Sequence, residues 1–265
     1  MSGEQWRDLG ASDPASGWWN MALDEVLLAS AARDGIATLR LYRWRGAWLS
    51  LGYAQPFERA DAAAYRAAGV TVVRRVTGGR AVLHGADLTY AVAAPESLLP
   101  PGLEGAYRLL SDALLDALRS VGIAAGPAPR APVPAPSEGF DCFAAAAADE
   151  ICVAGRKLVG SAQRRSLGAV LQHGSIRLRP DPAPAALAAR AGARATSLAE
   201  LGVAAEAARR TLETALPRAL AERLGRGPLP RGTLRDDEQR AVRARAAALR
   251  SDPLAKRLLE ASRAS

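Results

Sequence analysis

Residues 150–178 read EICVAGRKLVGSAQRRSLGAVLQHGSIRL, three runs of strand character with very little chain between them. Glu150–Ala154, Lys157–Gln163 and Ala169–Leu178 are predicted as strands, and Ala154-Gly155-Arg156 as a hairpin turn. Strands so close in sequence pair antiparallel, because a parallel crossover needs a dozen residues or more. Any fold available to this chain must accommodate that antiparallel block near its C-terminal third.

The remaining elements alternate between helix and strand. Trp6–Leu9 is predicted as a first strand. Asn20 is the expected N-cap of a helix carrying Met21, Leu23, Val26, Leu27 and Ala31 and ending near Gly35. TLRLYRW (38–44) alternates apolar and basic as a half-buried strand should, Arg45-Gly46 turns, and 47–56 forms the next strand. Phe57–Gly69 is predicted as a helix with Gly69 past its end. Val70–Val76, Arg80–His84 and Leu88–Ala94 are predicted strands, the first two joined by a turn at Thr77-Gly78-Gly79. Glu104–Gly122 is a helix with Tyr107, Leu110, Leu114, Leu118 and Val121 on one face. Residues 126–139 (GPAPRAPVPAPSEG) are a Pro-rich loop leading to Cys142. Beyond Pro180 helices are expected at 183–193, 203–225 and 234–262. A length of 265 residues with 49% hydrophobic content suits one large domain, or one with a small appendage. The division expected is a catalytic core over 1–182 and a helical part over 183–265, packed on or completing the same domain.

Composition removes several function classes. Two cysteines make no disulfide framework, and their spacing of ten matches no common zinc pattern, so a reducing, cytoplasmic compartment and no metal are expected. The N-terminus lacks the apolar core of a signal peptide, and no window approaches eighteen apolar residues, so no membrane partner is expected. The net charge of +8 raises nucleic acid as a partner. The arginines are scattered without interleaved aromatics, and an acidic protein partner fits better.

Lysine is the informative residue. Of 35 basic residues only Lys157 and Lys256 are lysine, so the other 33 are arginine. A composition that writes Arg nearly everywhere marks a position where Arg would not serve. Lysine is a compact charge that can release its proton when buried, and arginine keeps its own. Cys142 lies fifteen positions upstream, and a thiol beside an ammonium makes a thiolate-forming pair. Cys142 and Lys157 are the candidate reaction centre; Cys152, in an apolar run, is read as structural. The Gly78-Gly79 turn would let backbone N–H groups approach a carbonyl or phosphate, with Arg74, Arg75, Arg80 and His84 beside it. Arg74 and Arg75 either bind phosphate or carboxylate groups or solvate a strand edge. His84 and His173 are either site walls or satisfied structural histidines. No Asp or Asn orienter for a Cys-His protease is evident in the sequence. The N–H groups of 160–163 or of the Gly-Gly turn are the candidate oxyanion donors.

Several segments carry a resemblance. NMALDEVLL (20–28), TLRLYRWRGAWLSLGYAQ (38–55), RRVTGGRAVLHGADLTYAV (74–92), Cys142-Phe143 and the 150–178 block resemble, in order, the biotin/lipoate protein ligase superfamily. Within it they are most similar to LipM-type octanoyltransferases. The resemblance implies an α+β fold with a large mixed sheet beside a smaller one. It implies transfer of an octanoyl group from acyl carrier protein to a lysine of a lipoyl domain, such as glycine cleavage protein H, with no cofactor. Cys142 would be the nucleophile and Lys157 its partner. Arg74, Arg75, Gly78, Gly79, His84, Gly160, Ser161, Ala162 and His173 would bind substrate. The alternatives are an ATP-dependent lipoate–protein ligase, an octanoyl amidotransferase between lipoyl domains, and a non-catalytic module binding a carrier protein or RNA.

Overall fold

The structure, a computed structural model, describes residues 6–56, 64–127, 150–181 and 195–252. Two sheets are present among them. The larger has seven strands in the order β1 (Trp6–Ala11), β2 (Ala37–Tyr42), β6 (Asp87–Pro95), β10 (Ala169–Arg177), β9 (Arg156–Ser166), β8 (Ile151–Val153) and β7 (Gly126–Pro127). The β1–β2 pair is parallel and the pairs from β2 to β7 are antiparallel. The smaller sheet has β4 (Thr71–Arg74), β3 (Trp48–Leu51) and β5 (Val82–His84), with β3 central. The α+β architecture with a large mixed sheet and a smaller one is therefore as expected.

Side-chain alternation along the strands divides the large sheet into two faces. Leu39, Leu41, Leu88, Tyr90, Val92, Val170 and Ile176 point to one face, under α2 (Gly102–Arg119) and α3 (Ala205–Arg223). Tyr42, Ala91, Ala93 and Leu171 point to the other, where α1 (Gly17–Asp34) supplies Met21, Leu23, Leu27 and Leu28. α4 (Asp236–Arg250) lies over α1, contributing Val242 and Leu249. A fully buried Leu adds about 1.5–3 kcal/mol. Leu27, wholly buried between helix and sheet, is a main anchor of this layer.

The small sheet has its own core of Leu49, Leu51, Val72 and Leu83. The alternate residues, Trp48, Ser50, Val82 and His84, are left on the opposite face. Trp48 joins the α1-side core, and Ser50, Val82 and His84 line a cleft shared with the large sheet.

Several boundaries differ from expectation for identifiable reasons. α1 begins at Gly17, not at Asn20, because the Ser16 hydroxyl caps it by accepting from the Trp19 N–H (3.3 Å). Gly17 is required there: a Cβ would lie 2.3 Å from a Trp48 ring carbon. Asn20 is buried in the first turn and donates through Nδ2 to the Arg43 carbonyl (3.1 Å). The strand expected over 47–56 stops at Leu51, since Gly52 meets the Gly79 carbonyl so closely that a Cβ would lie 1.9 Å from it. The 70–76 strand ends at Arg74, and the strand expected from Arg80 begins at Val82, because Arg75 gathers the intervening turn around its guanidinium. Residues 126–127 of the Pro-rich stretch pair with β8 at the sheet edge, where proline is tolerated. The rest of that stretch, Cys142, the 183–193 helix and everything past 252 lie outside the described residues.

α4 is tied down through a buried carboxylate. Glu238 accepts from Arg7 Nη2 (2.6 Å), from the Ser30 hydroxyl (2.7 Å) and from the Arg235 N–H (2.9 Å). Burial pushes its carboxyl up, but the bonds from Arg7 and Ser30 outweigh that and hold it below the usual carboxylate range.

Candidate active site

The cleft between the sheets has an empty volume of about 410 Å³, its open mouth included. Its floor is the β10–β9 pair, its roof is β3 and β5, and α1 closes one end with Met21.

Lys157 enters the cleft from the β8–β9 hairpin. Ala154 (φ 48°) and Gly155 (φ 74°) both take the left-handed conformation that a two-residue hairpin turn needs. The resulting register sets Lys157 opposite Cys152. The Lys157 side chain is 1% exposed and its Nζ is ion-paired with Glu150, the residue just before β8. Its carbonyl accepts from the Thr196 N–H (2.9 Å), which holds the strand from the far side. Burial pushes the Cys152 thiol up, Glu150 adds to that, and Lys157 opposes it; the net is an inert thiol, as a structural cysteine should be.

The two histidines occupy matching positions on opposite walls. His173 Nδ1 lies 2.7 Å from Asp24 Oδ2, and its Nε2 lies 2.6 Å from the Thr77 hydroxyl. His84 Nδ1 lies 2.8 Å from Asp87 Oδ2, and its Nε2 lies 2.8 Å from the Ser50 hydroxyl. Burial drives both aspartates up. For Asp24 the Arg40 charge and the bond to His173 reverse this, and for Asp87 the His84 contact and the Ser175 hydroxyl do so. Both stay below the usual carboxylate range. Burial lowers His173, and Asp24 only partly compensates, so this ring is neutral at pH 7. The sequence reading found no acidic orienter; the fold supplies two. Asp87 was legible as the acid three positions after His84. Asp24 was legible as a carboxylate on the otherwise apolar stripe of α1.

Arg75 joins the two halves. Nε donates to the Thr77 hydroxyl (3.2 Å) and Nη1 to the Ser50 carbonyl (2.8 Å) and hydroxyl (3.2 Å). Nη2 donates to the Gly78 and Arg80 carbonyls (2.7 Å each). Nε and Nη2 thereby hold the Thr77–Arg80 turn, and Nη1 ties it to Ser50 on β3.

The cleft wall thus brings together Arg75, His84, Lys157, Gly160, Ser161, Ala162 and His173 from the expected set. Arg74, Gly78 and Gly79 lie behind it: Arg74 Nη1 donates to the Gly52, Tyr53 and Gln55 carbonyls, and Gly78 offers its carbonyl to Arg75. Glu150, Ser50, Trp44, Tyr42 and Thr89 are wall residues that sequence reasoning missed. Gly174 permits the floor to close up, since a Cβ there would lie 2.6 Å from Tyr90 and 2.7 Å from the Gly160 carbonyl. Beyond Val159 no described strand pairs with the outer edge of β9. There the Ser161 carbonyl accepts from the Tyr107 hydroxyl (3.4 Å), so the Ser161 N–H also points to that open edge.

The model of the lipoyl protein ligase A/B catalytic domain family matches residues 16–216. The chain is 41% identical to octanoyltransferase LipM of Symbiobacterium thermophilum over 200 residues, covering 68% of this chain and 73% of that protein. It is 44% identical to octanoyltransferase LipM of Moorella thermoacetica over 187 residues, 66% of each chain. Its fold matches a bipartite lipoate protein ligase of Thermoplasma acidophilum with a TM-score of 0.68 at 21% identity, over 97% of both chains.

Proposed function

Since the chain belongs to the lipoyl protein ligase A/B catalytic domain family, we propose that it is an acyltransferase moving octanoyl groups in protein lipoylation through a thioester on Cys142. The donor is octanoyl-acyl carrier protein and the acceptor is a lysine of a lipoyl domain, of which glycine cleavage protein H is one. Residues 1–182 and 183–265 act as one unit, a reading supported by the packing of α3 on α2 and of α4 on α1. No described helix is long and apolar enough to cross a membrane, and a cytoplasmic location fits the reduced cysteine chemistry.

The observation that carries this reading is Lys157, buried beside Glu150 at the wall of an otherwise mainly apolar cleft. Cys142 stands eight residues before Glu150 in the chain, and eight residues span at most about 29 Å. The thiol is therefore within chain reach of the ammonium. An ordinary cysteine is only a few per cent thiolate at neutral pH, and a neighbouring ammonium raises that fraction.

In the first half-reaction the Cys142 thiolate attacks the thioester carbonyl. The new C–S bond forms as the old one breaks, and the departing pantetheine thiolate takes a proton from Lys157. In the second, the neutral amine of Lys157 accepts the proton of the incoming lysine as its nitrogen displaces Cys142. A thioester exchanges with a thiol at nearly equal free energy and passes to an amine downhill, so ATP is not consumed. The Ser161 N–H is the oxyanion donor in this reading, which its place at the open edge of β9 supports. Arg75, with its donors committed to the turn and to Ser50, acts as a positioning residue.

The test is single-turnover transfer from octanoyl carrier protein to a lipoyl domain in the absence of nucleotide. Transfer that is lost in Cys142→Ala supports the reading, and transfer that requires ATP overturns it in favour of a ligase.

A further inference from the structure

Ser50, His84 and Asp87 form a buried hydroxyl–imidazole–carboxylate series that the transfer through Cys142 does not use. Asp87 is ionised and can only accept. Besides His84 it takes the Thr89 hydroxyl (2.9 Å), the Ser175 hydroxyl (2.7 Å) and the Gly85 N–H (3.0 Å). An N–H of His84 at Nδ1 satisfies that carboxylate, and in the tautomer that carries it there Nε2 is the acceptor. Nε2 lies 2.8 Å from the Ser50 hydroxyl, which donates to it in that tautomer. The ring cannot swing away, because the Trp44 indole stacks on it at 3.9 Å with the planes 12° apart.

The His173 series has the same connectivity but not the same access. Both hydroxyl residues are buried, Thr77 at 0% and Ser50 at 1% exposure, but Ser50 lines the cleft and Thr77 does not. Of the two hydroxyl residues, Ser50 alone borders the cleft. Arg75 Nη1, 3.2 Å from the Ser50 oxygen, places positive charge beside any negative charge that builds up there.

We propose that Ser50 is a second nucleophile, driven by His84 and Asp87, that takes medium-chain acyl groups from thioesters and releases them to water. The acyl class rests on the function proposed above; the nucleophile rests on the geometry alone. Ser50 Oγ forms a C–O bond as the C–S bond of the donor breaks. The hydroxyl proton passes to His84 Nε2 and then to the departing thiolate. Water attacks the ester carbonyl, giving its proton to Nε2. The C–O bond to Ser50 breaks, that proton returns to Oγ, and a free fatty acid leaves. Such a route would clear acyl groups that fail to reach an acceptor lysine.

The experiment uses the full chain with Cys142→Ala and an octyl fluorophosphonate, whose phosphorus bonds to an activated serine as fluoride departs. Peptide mass spectrometry locates the label. The label is expected on Ser50, absent when Ser50→Ala is added, and formed about 100-fold more slowly with Asp87→Asn. Should Asp87→Asn fail to fold, His84→Gln takes its place in the rate comparison. A folded Cys142→Ala protein with no label on Ser50, or a labelling rate unchanged without the orienting acid or base, overturns the proposal. The probe needs neither carrier protein nor lipoyl acceptor, so the result stands apart from whether Cys142 carries the group.

Discussion

Lys157 and Glu150 are ion-paired inside the protein, seven residues apart in sequence and brought together by a two-residue turn. A buried pair of this kind contributes little net stability while intact. Removing one partner takes away the buried counter-charge of the other and costs up to about 3–5 kcal/mol. Glu150→Gln should therefore lower the urea midpoint by a corresponding amount, and Glu150→Leu combined with Lys157→Met should recover most of it. A Glu150→Gln protein as stable as the parent would mean that the ammonium is neutralised by another group.

Lys157→Arg keeps the charge and the pairing but removes the ability to release a proton. Single-turnover transfer is expected to fall by at least about 100-fold, with the far-ultraviolet circular dichroism unchanged. An active Arg variant would remove Lys157 from the proton path and reduce it to a counter-charge.

Acid should loosen the cleft before the rest of the fold. Burial holds His173 below its ordinary value, so the folded protein resists a proton that the unfolded chain accepts near pH 6.5. The stability this provides is complete above that pH and is lost as pH falls toward the lower folded value. Thermal melts from pH 7.5 to 5 should show the decline, and His173→Gln should flatten it. A steeper decline in the variant would contradict the sign of this argument.

Gly174→Ala places a methyl group between β10 and β9 at the floor of the cleft. The strands have to separate or Tyr90 has to move, at a cost of about 1–3 kcal/mol. Transfer should suffer more than stability, because Gly160 and Ser161 are displaced together. Equal losses in both would place the damage in the core instead of the site.

The net charge of +8 gives long-range attraction to acidic partners. Raising ionic strength from about 20 mM to 300 mM shortens the screening length, and the second-order transfer rate should fall about tenfold. A rate insensitive to salt would mean that encounter is not steered.

Much of this was legible in the residues, and the reasons for the rest are physical. The β8–β9–β10 block declared itself by strand runs and a short turn, and Lys157 by being lysine in a chain of arginines. Glu150 was visible only as a strand-end acid, because the hairpin register that folds it back onto Lys157 depends on φ values at Ala154 and Gly155. Asp24 and His173 are 149 positions apart, and local periodicity carries no signal for such a pair. Arg75 looked like an anion binder by type. Its use as the tie between its own turn and β3 follows from acceptors of Ser50, Thr77, Gly78 and Arg80 converging on it, which only the folded chain assembles.

The most direct measurement of the central claim is intact-protein and peptide mass spectrometry after incubation with octanoyl carrier protein without ATP. One octanoyl group on Cys142, chased onto a lipoyl domain when that is added, is the predicted result. An unmodified Cys142 under those conditions, with the acceptor nevertheless acylated, would contradict it.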